Sequence, residues 1–299
     1  MASAPFQDTL IFAEALAQRL VGPQAANALV LDCSFDLADT AAGRRAFLQS
    51  HIPGAQYLHL DDDLSGAKTG ATGAFKGRHP LPDREAFAAR LAALGASDDT
   101  QVIAYDNAGG MFAARLWWML RWVGHGAAAV LDGGLAAWRA AGQPLAEGPG
   151  GTPVPSRFSL RAALVDTVSF DDLRAALGSP GGPLIVDARS ADRFRGENET
   201  LDPVGGHIPG ARNRSFRDNL AADGRFKPPA QLRAEFEAVL AEAAPARVVN
   251  LCGSGVTACH NLLAMAVAGL GVSTLYPGSW SEWCAQPGAP VATGTRTGG

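Results

Sequence analysis

The same order of residues runs twice through this chain, and a duplication restricts the fold to two copies of one domain. The first copy carries Ala28-Leu-Val-Leu-Asp-Cys-Ser34, then His51-Ile-Pro-Gly-Ala55. The second carries Leu184-Ile-Val-Asp-Ala-Arg189, then His207-Ile-Pro-Gly-Ala211. Two further β-rich runs follow, Gln101-Val-Ile-Ala-Tyr-Asp106 and Arg247-Val-Val-Asn-Leu-Cys252, each entering a glycine-containing turn and then a helical pattern. Gly133-Gly-Leu-Ala-Ala-Trp138 is answered by Gly278-Ser-Trp-Ser-Glu-Trp283. Asp106 precedes Trp138 by 32 residues and Cys252 precedes Trp283 by 31, so the copies share an architecture as well as their motifs.

Short continuous apolar runs alternating with helical segments predict buried parallel strands, hence an α/β fold with helices flanking each sheet. With 299 residues, the chain divides into two domains of common size. Between the copies, Gln143-Pro-Leu-Ala-Glu-Gly-Pro-Gly-Gly-Thr-Pro-Val-Pro-Ser156 sustains neither helix nor central strand. The expected division is therefore a first domain over 1–145, a linker over 146–156 and a second domain over 157–299.

Charge and hydropathy narrow the function. A formal net charge of −4 supplies no basic field for a phosphate backbone, so nucleic acid is not an expected partner. The most apolar stretches, Met111 to Val123 and Leu262 to Val272, are too short for a membrane span, and Arg115 and Arg121 interrupt the first. Met1 to Leu10 lacks the pattern of a signal peptide and contains Asp8, which predicts a cytoplasmic protein without membrane contact. The cysteines at 33, 252, 259 and 284 form no C-x-x-C pair, so neither a disulfide scaffold nor a zinc site is expected.

Cys252 stands apart from the other three. It ends a strand pattern and is followed by Gly253-Ser-Gly-Val-Thr257, a tight turn opening a helix. That placement surrounds the sulfur with backbone N–H groups, and Gly253 and Gly255 allow the dihedrals such a ring requires. Those donors and the helix dipole favour a thiolate, and a persulfide anion equally. Gly253-Ser-Gly-Val-Thr-Ala258 also fits a dinucleotide fingerprint, but no acidic residue stands some 20 residues later, where positions 273–278 read Ser-Thr-Leu-Tyr-Pro-Gly. A cysteine phosphatase needs a phosphate-clamping arginine where Ala258 stands.

Asp-x-Arg, His-Ile-Pro-Gly-Ala, Cys252-Gly-Ser-Gly-Val-Thr257 and Gly-Ser-Trp-x-x-Trp together resemble the tandem rhodanese-domain sulfurtransferases over essentially the whole chain. The cysteine loop is most similar to that of 3-mercaptopyruvate sulfurtransferases. Thiosulfate-preferring relatives tend to carry basic side chains after the cysteine, where this chain has neutral Gly253 and Ser254. The resemblance implies two rhodanese-like domains, the first silent because Asp106 takes the position of Cys252. It further implies a proton relay of Asp61, His79 and Ser254, with Arg193 holding the donor and the amides of Gly253, Gly255, Val256 and Thr257 holding the persulfide. The family's second donor-binding arginine usually lies shortly before the second His-Ile-Pro-Gly. Glu197 to Gly206 contains none, leaving Arg195, Arg212 and Arg214 as alternatives.

His51 and His207, present in both copies, read as structural. The implied acceptors are a thiol such as thioredoxin, or cyanide, and no metal or organic cofactor is implied. The alternatives are a thiosulfate sulfurtransferase on the same fold and a non-enzymatic rhodanese-fold binding module.

Overall fold

The β-rich runs form two all-parallel sheets, seen in a computed structural model that describes residues 7–295. Most of the Met1 to Leu10 stretch read for a targeting signal thus lies outside the described residues. The described residues separate into two compact units, one formed by 7–64, 82–164 and 222–225, the other by 65–81, 165–221 and 226–295.

The first unit contains β1 (Leu10–Ile11), α1 (Ala13–Val21), β2 (Ala28–Asp32), α2 (Ala42–Gln49), β3 (Gln56–Tyr57) and α3 (Leu60–Asp63). It continues with α4 (Arg84–Ala93), β4 (Gln101–Tyr105), α5 (Ala113–Trp122), β5 (Ala128–Leu131) and α6 (Gly134–Ala140). The second unit contains α7 (Phe170–Ala176), β6 (Leu184–Asp187), α8 (Ala191–Arg195), β7 (Arg212–Asn213) and α9 (Pro229–Leu240). It ends with β8 (Val248–Leu251), α10 (Thr257–Val267), β9 (Thr274–Leu275) and α11 (Ser279–Trp283). Residues 143–156 carry no helix, and their one pairing is a bridge from Ala146 to His51.

Strand order is β1-β5-β4-β2-β3 in the first sheet and β7-β6-β8-β9 in the second. In each, consecutive strands leave in opposite directions from a central pair, β2/β4 or β6/β8. The carboxyl ends of such a pair open a crevice in which α/β sheets bind their ligands. Register carries the duplication to single residues: Asp32 lies opposite Tyr105, and Asp187 opposite Leu251. Beyond them, Cys33 N–H donates to the Tyr105 carbonyl and Ala188 N–H to the Leu251 carbonyl, each at 2.8 Å. Asp106 and Cys252 are therefore the same position in two copies.

The paired histidines hold the fold. His51 bonds the Phe47 carbonyl through Nδ1 at 2.8 Å and stacks on that ring at 4.1 Å. His207 bonds the Phe194 carbonyl at 2.8 Å and stacks on it at 3.7 Å. Trp138 and Trp283 close the two cores, their indole N–H groups donating to the carbonyls of Pro144 and Pro290. Among the described residues no helix is long and apolar enough to cross a membrane.

Candidate active site

Cys252 leaves the carboxyl end of β8 at the crevice of the second sheet and is 2% exposed. Its backbone is pinned on both sides. The Cys252 N–H donates to Ser279 Oγ (3.1 Å), its carbonyl accepts from Trp280 N–H (2.9 Å), and the Gly253 carbonyl accepts from Ser281 N–H (2.9 Å). α10 begins at Thr257, directly after buried Val256, whose side chain gives no capping hydrogen bond, so its amino end faces the loop uncapped by that residue. Gly255 has φ +77°, and a Cβ there would sit 2.3 Å from the Pro277 carbonyl, so only glycine suits the position. Gly253 differs from the sequence expectation: it is not among the left-handed glycines, and what it supplies is room. A Cβ on it would lie 2.7 Å from Arg78 Nη2 and 3.5 Å from Arg193 Nη2.

The first unit shows what such a loop binds. Asp106 Oδ1 accepts N–H bonds from Ala108 (2.7 Å) and Gly110 (2.9 Å), and Oδ2 from Phe112 and Ala113 (2.8 Å each). A strand end followed by a turn and a helix start is thus a cradle for one anion, filled here by a carboxylate. The loop differs in length, since α5 starts seven residues after Asp106 and α10 five after Cys252.

Ser279 marks another difference between the copies. Gly134 stands at the corresponding turn of the first unit with φ +56°, and a Cβ there would be 2.2 Å from the Asp106 carbonyl oxygen. Ser279 adopts the same left-handed backbone, φ 55°, and uses its side chain to accept from Cys252 N–H and donate to the Tyr276 carbonyl (2.9 Å). Ser279→Ala should retain the backbone strain and lose both buried bonds, costing about 2–3 kcal/mol. Ser279→Gly loses the same bonds but releases the strain, and should be about 1 kcal/mol less damaging. Denaturant midpoints check this order, and an alanine variant as stable as the glycine variant would refute it.

His79 lies in the 65–81 segment of the second unit, 4% exposed, with Nδ1 2.8 Å from Ser254 Oγ. Two members of the expected relay therefore meet next to the cysteine. Asp61 lies on α3 of the first unit. Arg193 is on α8, its guanidinium bonded to Glu199 (2.8–3.2 Å) and Asp202 (3.3 Å). The three alternatives for a second arginine are engaged elsewhere. Arg195 pairs with Glu197, Arg212 donates to the Val239 carbonyl, and Arg214 lies on the Phe236 ring and bonds Glu235 (2.9 Å).

Arg78 directly precedes His79, and no motif in the sequence marks it. It forms an ion pair with buried Asp202, and its side chain reaches Gly253. Arg189, the arginine of the Asp-x-Arg motif, is buried against Asp187 (2.7 Å) and Glu199 (3.4 Å) with its guanidinium 4.6 Å from the Trp280 ring centre. Burial opposes its charge, yet Asp187, Glu199 and the nearby Cys252 hold its pKa above the usual arginine value. Glu199 is held below the usual carboxylate range; burial works against this, and the bonds from Arg193 and the Leu201 amide outweigh it.

Two of the other cysteines lie in settings that favour the protonated thiol. Burial, with Asp32 and Asp106 nearby, pushes the Cys33 thiol well up. Burial and Asp202 push Cys284 up to about 11. Cys259 is buried on α10, its Sγ 3.4 Å from the Gly255 carbonyl.

Comparison with known proteins agrees with the duplication. The chain matches the Rhodanese-like domain family twice, over residues 13–141 and 169–286. It is 48% identical over 287 residues to a probable 3-mercaptopyruvate sulfurtransferase of Pseudomonas aeruginosa, covering 95% of this chain and 98% of that one. A putative thiosulfate sulfurtransferase of Mycobacterium tuberculosis is 39% identical over 277 residues, covering 89% of this chain and 91% of that one. Among solved structures, 3-mercaptopyruvate sulfurtransferase from Leishmania major superimposes with a TM-score of 0.80 at 32% identity, covering 92% of this chain and 74% of that one.

Proposed function

This chain belongs to the rhodanese-like family, and from that premise we propose that it is a sulfurtransferase moving sulfur from 3-mercaptopyruvate to a thiol or cyanide through a persulfide on Cys252. The observation that carries the proposal is the pair of equivalent loops: one holds a carboxylate on four amides, and the other offers a thiol at the same position.

In the first half-reaction the Cys252 thiolate attacks the donor sulfur. The S–S bond forms as the C–S bond breaks, and the bonding pair leaves on carbon as the enolate of pyruvate. Ser254, bonded to His79 at 2.8 Å, passes a proton to that carbon. The amides of Gly253, Gly255, Val256 and Thr257 hold the terminal sulfur anion. In the second half-reaction an acceptor, a thiol such as thioredoxin or cyanide, attacks the outer sulfur and returns the thiolate.

The local charge supports a singly charged donor. The ion-pair cluster beside the cysteine loop consists, among the described residues, of three guanidinium groups (Arg78, Arg189, Arg193) and three carboxylates (Asp187, Glu199, Asp202). Such a balance offers an α-keto carboxylate hydrogen bonds but gives a dianion no surplus positive field. The Mycobacterium relative keeps thiosulfate as the second reading. Steady-state kinetics with both donors separates the two: kcat/KM for 3-mercaptopyruvate should exceed that for thiosulfate by about ten-fold or more. The opposite preference overturns the donor assignment. Free thiols at all four cysteines suit a reducing compartment, and the proposed location is the cytoplasm.

A further inference from the structure

We propose that Arg78 is the second donor-binding residue, forming with Arg193 a two-guanidinium clamp for the carboxylate of an α-keto thiol. The assignment deepens the reading above and rests on it for the identity of the donor. The segment from Glu197 to Gly206 contains no arginine; it brings two carboxylates, Glu199 and Asp202, to the edge of the loop. Asp202 is itself buried, its side chain 3% exposed, and its two oxygens divide between two cations: Oδ1 pairs with Arg78 and Oδ2 with Arg193. One carboxylate therefore holds both guanidinium groups side by side. Both reach over Gly253, the residue next to the nucleophile, where a Cβ would crowd Arg78 Nη2 at 2.7 Å and touch Arg193 Nη2 at 3.5 Å.

The backbone that delivers Arg78 is fixed to the same loop. Arg78 N–H donates to Ser281 Oγ (3.1 Å), while Ser281 N–H donates to the Gly253 carbonyl (2.9 Å), so one serine sets the register of the arginine against the cysteine loop. Gly77 packs so closely that a Cβ on it would be 2.7 Å from the Gly278 carbonyl. Further along, Gly66 N–H bonds the Pro80 carbonyl and Gln286 Nε2 the Phe75 carbonyl, which closes the 65–81 segment on the second unit. The two guanidinium side chains keep 22% and 19% of their surface exposed, enough to meet a ligand without first leaving Asp202. A planar carboxylate takes paired N–H donors from arginine, and a lysine in place of Arg78 offers only a point charge.

The test uses two alkylating agents that differ in charge, iodoacetate and iodoacetamide, and reads the rate of modification at Cys252 by peptide mass spectrometry. It is run on wild type, Arg78→Met and Arg78→Lys alongside KM for 3-mercaptopyruvate. Arg78→Met should lower the iodoacetate-to-iodoacetamide rate ratio about ten-fold and raise KM by a similar factor, with a smaller change in kcat. Asp202 keeps Arg193 as its partner in that variant. Should Arg78→Met fail to fold, Arg78→Lys retains the charge and is expected to raise KM several-fold because the paired donors are lost. A wild-type ratio and KM in Arg78→Met, or an unchanged KM in a folded Arg78→Lys, overturns the clamp. If wild type does not use 3-mercaptopyruvate at all, the donor reading falls; the alkylation ratio still decides whether Arg78 faces an anion at Cys252.

Discussion

Cys252→Ser is expected to abolish sulfur transfer from either donor, lowering turnover by on the order of 10⁴-fold or more. A serine hydroxyl at this position cannot form the S–S bond that stores the sulfur between half-reactions. Treatment of wild type with donor and no acceptor should add one sulfur, about 32 Da, on the peptide carrying Cys252, and the serine variant should gain none. The loss is chemical and leaves the fold intact, because serine differs by one atom at a position whose backbone is held by Ser279, Trp280 and Ser281. Cys33 and Cys284 serve as internal controls, since burial pushes both thiols up and favours their protonated form. Equal sulfur uptake by the serine variant would place the carrier elsewhere and remove the nucleophile from the proposed mechanism. No uptake by wild type would favour a rhodanese-fold module that only binds.

What the sequence disclosed and what it hid follow from how far apart the partners stand along the chain. The repeated motifs, the parallel strands and the cysteine at a strand end are each short patterns legible in the sequence, and they give the fold and single out Cys252 as the candidate nucleophile. The arginine that faces Gly253 is not local. The 65–81 segment meets the cysteine loop across 175 positions between His79 and Ser254, a distance no periodicity reports. His79 was found through its resemblance to family members, whereas its neighbour Arg78 occupies no position that the family pattern marks. The role of Gly253 is hidden for the same reason: its missing Cβ makes room for side chains from elsewhere, while of the two loop glycines only Gly255 takes the left-handed backbone. Ser279 shows the third limit. A serine with φ 55° looks like any serine in the sequence, and its bond to Cys252 N–H becomes visible only once the turn is folded.

The first copy provides the sharpest test of the cradle, because there the anion is part of the chain. Asp106→Ala should destabilise the first unit by about 3–5 kcal/mol, since four N–H groups lose their acceptor at a site 1% exposed. For a unit of this size that corresponds to a fall of about 10 °C in its melting transition. Asp106→Asn keeps one carbonyl oxygen but turns an NH₂ group toward two N–H donors, so it should recover less than half of the loss. The emptied cradle should also accept a free anion. Added formate, a single carboxylate small enough for the vacated space, should raise the melting temperature of Asp106→Ala more than that of wild type, by mass action on the folded state. Differential scanning calorimetry with sodium formate, using sodium chloride at equal ionic strength as the reference, reads this directly. An alanine variant as stable as wild type, or one indifferent to formate, would mean that these amides do not form an anion site. The inference from Asp106 to a sulfur anion at Cys252 would then lose its physical basis.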